Sequence, residues 1–371
     1  MKSTPTSSGS SSGGDFRDGA TLATAFDPRN NALNAIRLLL ALLVIVWHSF
    51  PLTGHDVDFL PLRQLLSRIS VDGFFAVSGF LITSSWVRNP HPLPYLRARA
   101  LRIFPAFWVS LVVTALVIAP LSLLLSDRPF PAGFWSGASR YVTVNAFLQV
   151  KQYSIAGTPT DVNLPGVWNG SMWTLFWEFL CYLGVLALGV SRLLRLRWVV
   201  PVLLACTILG VLATSYGPVG NYWVKNGAHF GIMFLAGALV FQLRHRLPLN
   251  SLLVAVSAAV VILSAWLPDY RVVAALPLAY LLIAVGAIGR HRRLQLKNDL
   301  SYGAYIFAFP LQQLLATLGA AAWGVSPFWL IATALTLPVA AASWFLIERP
   351  SLRLKRTRSP RNVQEEAVVV R

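Results

Sequence analysis

Arg37 and His48 stand eleven residues apart, at the two ends of a run of ten apolar residues. On an α-helix, eleven steps of 100° return to within about 20° of the start, about 16 Å further along the axis. The guanidinium and the imidazole therefore share a face. One can hold an anion. The other, with an ordinary pKa of about 6.5, can exchange a proton at neutral pH. Taken singly, each has a plainer use: Arg37 can snorkel to lipid phosphates and His48 can be a core residue bonded to a carbonyl.

Further polar residues sit in apolar surroundings. Glu178, in "SMWTLFWEFLCYL", is more than two turns into its apolar run, the deepest carboxylate in the chain. It either pairs with a cation or works in a polar chamber. Asp72, in "VDGFFAVSGFLI", opens a run and suits an N-cap as well as a site. Gly73, Ser78 and Gly79 in the same run are small enough to let helices approach. In "YLRARALRIFP", Arg99 and Arg102 are three apart and share a helical face, which two planar guanidiniums can use to grip a polyphosphate. "LSYGAYIFAFPLQQLL" carries Tyr302, Tyr305, Gln312 and Gln313, and "FLIERPSLRLKR" places Glu348 beside Arg349 and Pro350, a helix stop with a local ion pair.

The elements that must position these groups are membrane spans. The chain has 371 residues, 56% hydrophobic and only 12% charged, with a net charge of +17 and a mean hydropathy of +0.60. A soluble domain would carry about twice that charged fraction. Apolar runs near 33–52, 72–88, 103–125, 169–190, 198–215, 227–243, 250–267, 271–289, 300–320 and 326–347 predict about ten transmembrane helices in one all-α bundle. The run at 133–150 is shorter and more polar and reads as interfacial or re-entrant. The positive charge argues for topology and against nucleic acid, because it falls in alternate loops: Arg97 after the second span, Arg195 after the fourth, Arg246 after the sixth, Arg292 after the eighth. Both termini are then cytoplasmic. Residues 1–32 read as a disordered tail, 33–353 as the membrane domain and 354–371 as a basic disordered tail. Cys181 and Cys206 fall inside apolar runs, with no metal-ligand spacing.

That topology sorts the polar residues by depth. His48, Asp72 and Glu178 fall towards the outside, a general-base set. Arg37, Arg99, Arg102, Tyr302 and Tyr305 fall towards the cytoplasm, an anion-binding set. An exporter of a glycan or lipid-linked precursor could also line a passage with such charges, although no internal repeat is evident.

The ordered motifs add a resemblance. Arg37 and His48 in the first span, "DGFFAVSGFLI", "RALRIFPAFW", "WTLFWEFLCYL", "SYGAYIFAFP" and "IERP" together resemble the membrane acyltransferase type 3 family, which includes glycan O-acetylases and macrolide acylases. The resemblance covers residues 33 to about 353. It implies an acyl-CoA donor, acetyl-CoA by default, held from the cytoplasm by Arg37, Arg99 and Arg102. It also implies a catalytic His48, an essential Glu178, a hydroxyl acceptor such as a carbohydrate at the outer side, no metal, and a bacterial inner membrane as the setting. Asp72 or Glu178 would orient the His48 ring. Ala308 stands where many members have His, which implies a mechanism with one histidine. Thr174 and Trp177 also depart from the usual pattern.

Overall fold

The computed structural model describes residues 20–289, 291 and 293–354. Most of both expected tails, 1–19 and 355–371, lies outside the described residues, as do Arg290 and Arg292. The chain runs through α1 (Leu33–Leu52), α2 (Leu60–Arg88), α3 (Pro92–Leu125), α4 (Phe134–Asn145), α5 (Thr174–Val190), α6 (Val199–Ser215), α7 (Tyr222–Leu243), α8 (Ser251–Ser264), α9 (Arg271–Ile288), α10 (Ser301–Thr317) and α11 (Val325–Arg353). By length and composition α1, α2, α3, α7, α9 and α11 can each cross a membrane, while α5, α6 and α8 are shorter apolar helices. Side chains such as Leu209, Leu252 and Leu346 are exposed on the outside of the bundle, as a surface facing hydrocarbon requires.

Most of α10 is buried, Ser301 through Pro310 without interruption, and it packs between α1 and α11. α2 and α7 make the closest crossing. A Cβ on Gly79 would lie 1.9 Å from the Phe234 carbonyl oxygen, and one on Gly237 would lie 1.9 Å from that of Ala76. Two backbones touch here because neither glycine has a side chain. Ser78, read with Gly79 as packing, instead hydrogen-bonds Glu178.

Two helices contain π-turns, Thr114–Ile118 in α3 and Trp344–Glu348 in α11, closed by the Ala119 N–H on the Thr114 carbonyl and the Arg349 N–H on that of Trp344. Each has one physical cause. Pro120 and Pro350 cannot donate to Leu116 and Leu346 four residues earlier, and their rings crowd those carbonyls, so the helix widens by one residue.

Several expected boundaries move. The second span begins at Leu60 rather than 72, because Arg63, Gln64 and Arg68 lower the hydropathy of a segment that is still helical. The segment at 133–150 supplies α4, twelve residues or about 18 Å, too short for a bilayer core of about 30 Å. The residues 20–32 of the expected tail are seated. Leu22 is fully buried with its N–H on the Leu247 carbonyl at 2.9 Å, and Phe26 packs edge-on to Phe80.

The glycine crossing is testable. Gly237→Ala is expected to cost about 3 kcal/mol, the upper range for overpacking, whereas Gly184→Ala, with nothing within 4 Å of the added carbon, is expected to be neutral or slightly stabilising. Thermal unfolding of the two purified variants in detergent checks the contrast.

Candidate active site

Three cavities adjoin one another through shared wall residues. A chamber of about 270 Å³ is lined by His48, the aromatic faces of Trp47, Trp173 and Phe230, and the cations Arg68 and Arg271, among others. A throat of about 30 Å³ between Arg37, Phe74, Glu178, Tyr302 and Tyr305 shares Val71, Thr174 and Tyr305 with the chamber. A third cavity of about 110 Å³, walled by Arg37, Ser78, Arg99, Arg102 and Tyr182, shares Arg37 with the throat. The helical-face arithmetic for Arg37 and His48 is thus met: both groups of α1 face the cavities, His48 in the chamber and Arg37 between the throat and the third cavity.

His48 is held differently from the expectation. Its Nδ1 donates to the Val44 carbonyl one turn back, at 2.9 Å, and its ring meets Phe309 edge-on at 4.9 Å. Neither Asp72 nor Glu178 orients it. Because a carbonyl only accepts, Nδ1 carries the hydrogen, and Nε2 is the nitrogen free for chemistry in the neutral ring.

Asp72 is neither an N-cap nor a partner of His48. It lies fully buried in the middle of α2, accepts from Arg271 Nε at 3.0 Å and from the Tyr270 hydroxyl at 2.5 Å, and so ties α2 to the start of α9. Arg271 in turn reaches Asp269 at 3.3 Å, which also meets Arg68 at 3.5 Å. Burial alone would raise the Asp269 carboxyl. The hydrogen bond with His229 and the charges of Arg271, His229 and Arg68 reverse that and hold it well below the usual carboxylate range.

Glu178 is placed away from His48, in the wall of the throat with Arg37. Its carboxylate accepts from the Ser78 hydroxyl at 2.9 Å and the Tyr182 hydroxyl at 2.5 Å. The expected span starting at 169 put Glu178 more than two turns in, but α5 begins only at Thr174. Residues 165–173 enter the bundle as irregular backbone, and its polar groups are met from within: Asn169 donates to the Ile306 carbonyl, and the Tyr305 hydroxyl to the Ser171 carbonyl. Such backbone survives at depth only where protein surrounds it.

At the other end, the three expected anion-binding arginines differ from one another. Arg37 and Arg102 both contact Asp299, each at 2.5 Å, and Arg102 also meets Glu348 at 3.1 Å. Burial would raise the Asp299 carboxyl, but Arg102, Arg37 and the Ser301 hydrogen bonds outweigh it and bring it to about 2. Glu348 therefore does not pair with the adjacent Arg349; the π-turn carries it inward, where it is 2% exposed. Arg99 has no carboxylate partner among the described residues. Its guanidinium lies over the Tyr95 and Tyr182 rings at 5.8 and 5.9 Å, and its buried Nε lacks a hydrogen-bond partner among the described residues. Tyr302 and Tyr305 are buried, the first donating to the Ile103 carbonyl and the second sharing a hydrogen bond with Thr174.

Asp299, Asp269 and His229 are missing from the sequence reading. His229 is a second histidine lining the chamber, and Ala308 is a packed core residue. Asp299 lay in plain view as the acidic residue two places before Ser301, whose N–H and hydroxyl it accepts. Gln312 and Gln313 donate to backbone carbonyls of residues 45, 164 and 167 and act as struts.

Comparison with known proteins fits this arrangement. A family model described as "Acyltransferase domain" matches residues 30–347. An "O-acetyl transferase" of Shigella phage Sf6 is 25% identical over 334 residues, covering 86% of this chain and 96% of the relative. "Nodulation protein 10" of Rhizobium leguminosarum bv. viciae is 26% identical over 360 residues, covering 88% and 94%. No solved structure matches the chain. With the family model spanning most of its length, the chain belongs to the acyltransferase type 3 family and is a membrane O-acyltransferase.

Proposed function

We propose that the protein takes an acyl group, acetyl in the simplest case, from acyl-CoA bound at the arginine end and delivers it to a hydroxyl of a glycan or similar acceptor in the chamber. The observation that carries this reading is the series of cavities with common walls from Arg99 to His48. CoA phosphates cannot enter hydrocarbon, so the head group stays with the arginines while the pantetheine arm follows the throat. Arg99 is the guanidinium with capacity to spare, since Arg37 and Arg102 are largely neutralised by Asp299 and Glu348. The thioester then reaches His48, whose Nε2 exchanges a proton with the reacting atoms or briefly carries the acyl group. The aromatic faces of Trp47, Trp173 and Phe230 suit a sugar ring. Asp72 acts through Arg271, and Glu178 shapes the throat.

Orientation follows from charge. Arg88, Arg97, Arg246 and Arg353 all fall at the arginine end, and the positive-inside rule supports reading that end as cytoplasmic in a chain of ten crossings in a bacterial cell membrane. Single cysteines at positions 55 and 220, in a background lacking Cys181 and Cys206, are expected to react with an impermeant maleimide on intact cells. Cysteines at 97 and 246 should react only after permeabilisation.

The enzymatic reading is tested with the purified protein and radiolabelled acetyl-CoA. His48→Ala is expected to lower acyl transfer by about 10²–10⁴-fold while the protein stays folded; normal transfer would sink the assignment. Arg99→Ala is expected to raise the acetyl-CoA KM by about 10–100-fold, the loss of charge-assisted hydrogen bonds to phosphate. Arg102→Ala instead strands Glu348 and leaves Asp299 with Arg37 alone, and its expected signature is a loss of about 3–5 kcal/mol in stability.

A further inference from the structure

His229 is 7% exposed, yet its ring lines the same chamber as His48. Two side chains touch it directly. It projects from α7, its Nε2 lies 3.1 Å from Asp269 Oδ2 in the turn before α9, and the Ser215 hydroxyl at the end of α6 is within 3.4 Å of Nε2 and 3.3 Å of the same carboxylate oxygen. Arg68 of α2 completes the shell through Asp269. Arg271 faces the pair from α9, and Lys225 stands one turn earlier on α7 at the chamber wall.

Two features separate this from a structural link. First, Asp269 already has Arg271 and Arg68 as counter-charges, so the imidazole is not needed to neutralise it. Second, an ionised carboxylate only accepts, so Nε2 carries the hydrogen, and in the neutral ring Nδ1 keeps its lone pair with no hydrogen-bond partner among the described residues. A histidine backed by a carboxylate is stabilised once it gains a proton. His48, backed only by the Val44 carbonyl, lacks that support.

We infer that His229 and Asp269 form a second acid–base pair serving the acceptor, in which His229 Nδ1 removes the proton of the acceptor hydroxyl. This rests on the reading of the chamber as the acceptor site. The hydroxyl oxygen bonds to the acyl carbon as its proton passes to His229, and Asp269 steadies the imidazolium. The carbon–sulfur bond breaks, and the CoA sulfur leaves as the thiolate, which receives the proton taken up by His229 by way of the open Nε2 of His48. Proton exchange through water in the chamber returns both rings to their starting forms.

The test uses membranes carrying the full chain, radiolabelled acetyl-CoA as donor and, as hydroxyl probe, an oligosaccharide selected from a set as one that the wild type acetylates, with label in the sugar as the readout. His229→Ala is expected to lower kcat at least about 100-fold with the acetyl-CoA KM within about twofold of the wild type, and added imidazole is expected to restore part of the rate. Asp269→Asn is expected to lower kcat with no response to imidazole, because the ring is still present. If His229→Ala fails to accumulate, His229→Gln keeps a hydrogen-bond donor for Asp269 without a basic nitrogen, and is expected to bind donor but not transfer. Wild-type transfer in either His229 variant overturns the inference, as does a donor-binding, inactive His229→Ala protein that imidazole does not revive. Full activity in His48→Ala would instead remove the reading of the reacting centre, whatever the His229 variants do.

Discussion

An ionised side chain inside hydrocarbon is tolerable only beside an opposite charge, and that constraint organises both ends of this bundle. Asp299 brings together Arg37 of α1 and Arg102 of α3, with Glu348 of α11 closing the set. Asp72 of α2 and Asp269 before α9 share Arg271. Each cluster fastens helices that are distant in sequence, and between the clusters lies the series of cavities. The charges are therefore clamps first, and among the described residues the groups that no carboxylate holds include Arg99 at one end and His48 at the other.

The clamps also explain why the site has so little slack. The glycine crossing of α2 and α7 fixes Ser78 on one helix and His229 on the other relative to the same axis. The irregular segment before α5 is pinned to the middle of α10 by Asn169, Ser171 and Tyr305. It starts α5 half-way through the bundle, and so Glu178 faces the throat rather than the chamber.

Much of this was legible from the chain. Periodicity and apolar length placed Arg37 and His48 on one face of one helix, and the six motifs pointed to the family. What hydropathy could not show was partnership across the fold. Asp299 lies 262 residues from Arg37 and 197 from Arg102, and Glu348 lies 246 from Arg102, so nothing local marks them as one cluster. Asp72 looked like a cap because the apolar run begins there, although the helix begins twelve residues earlier under polar cover. Glu348 looked like a local stop because the register shift that turns it inward arises from Pro350, an effect of backbone sterics rather than of composition. His229 escaped notice because a lone histidine in an apolar run gives no sign of what it will face.

The throat is the smallest of the three cavities, about 30 Å³, and Thr174 and Tyr305, which line both it and the chamber, are hydrogen-bonded to each other. Anything bulky that passes from one end to the other must therefore part side chains that hold each other closed, so the bundle in this state works as a shut valve.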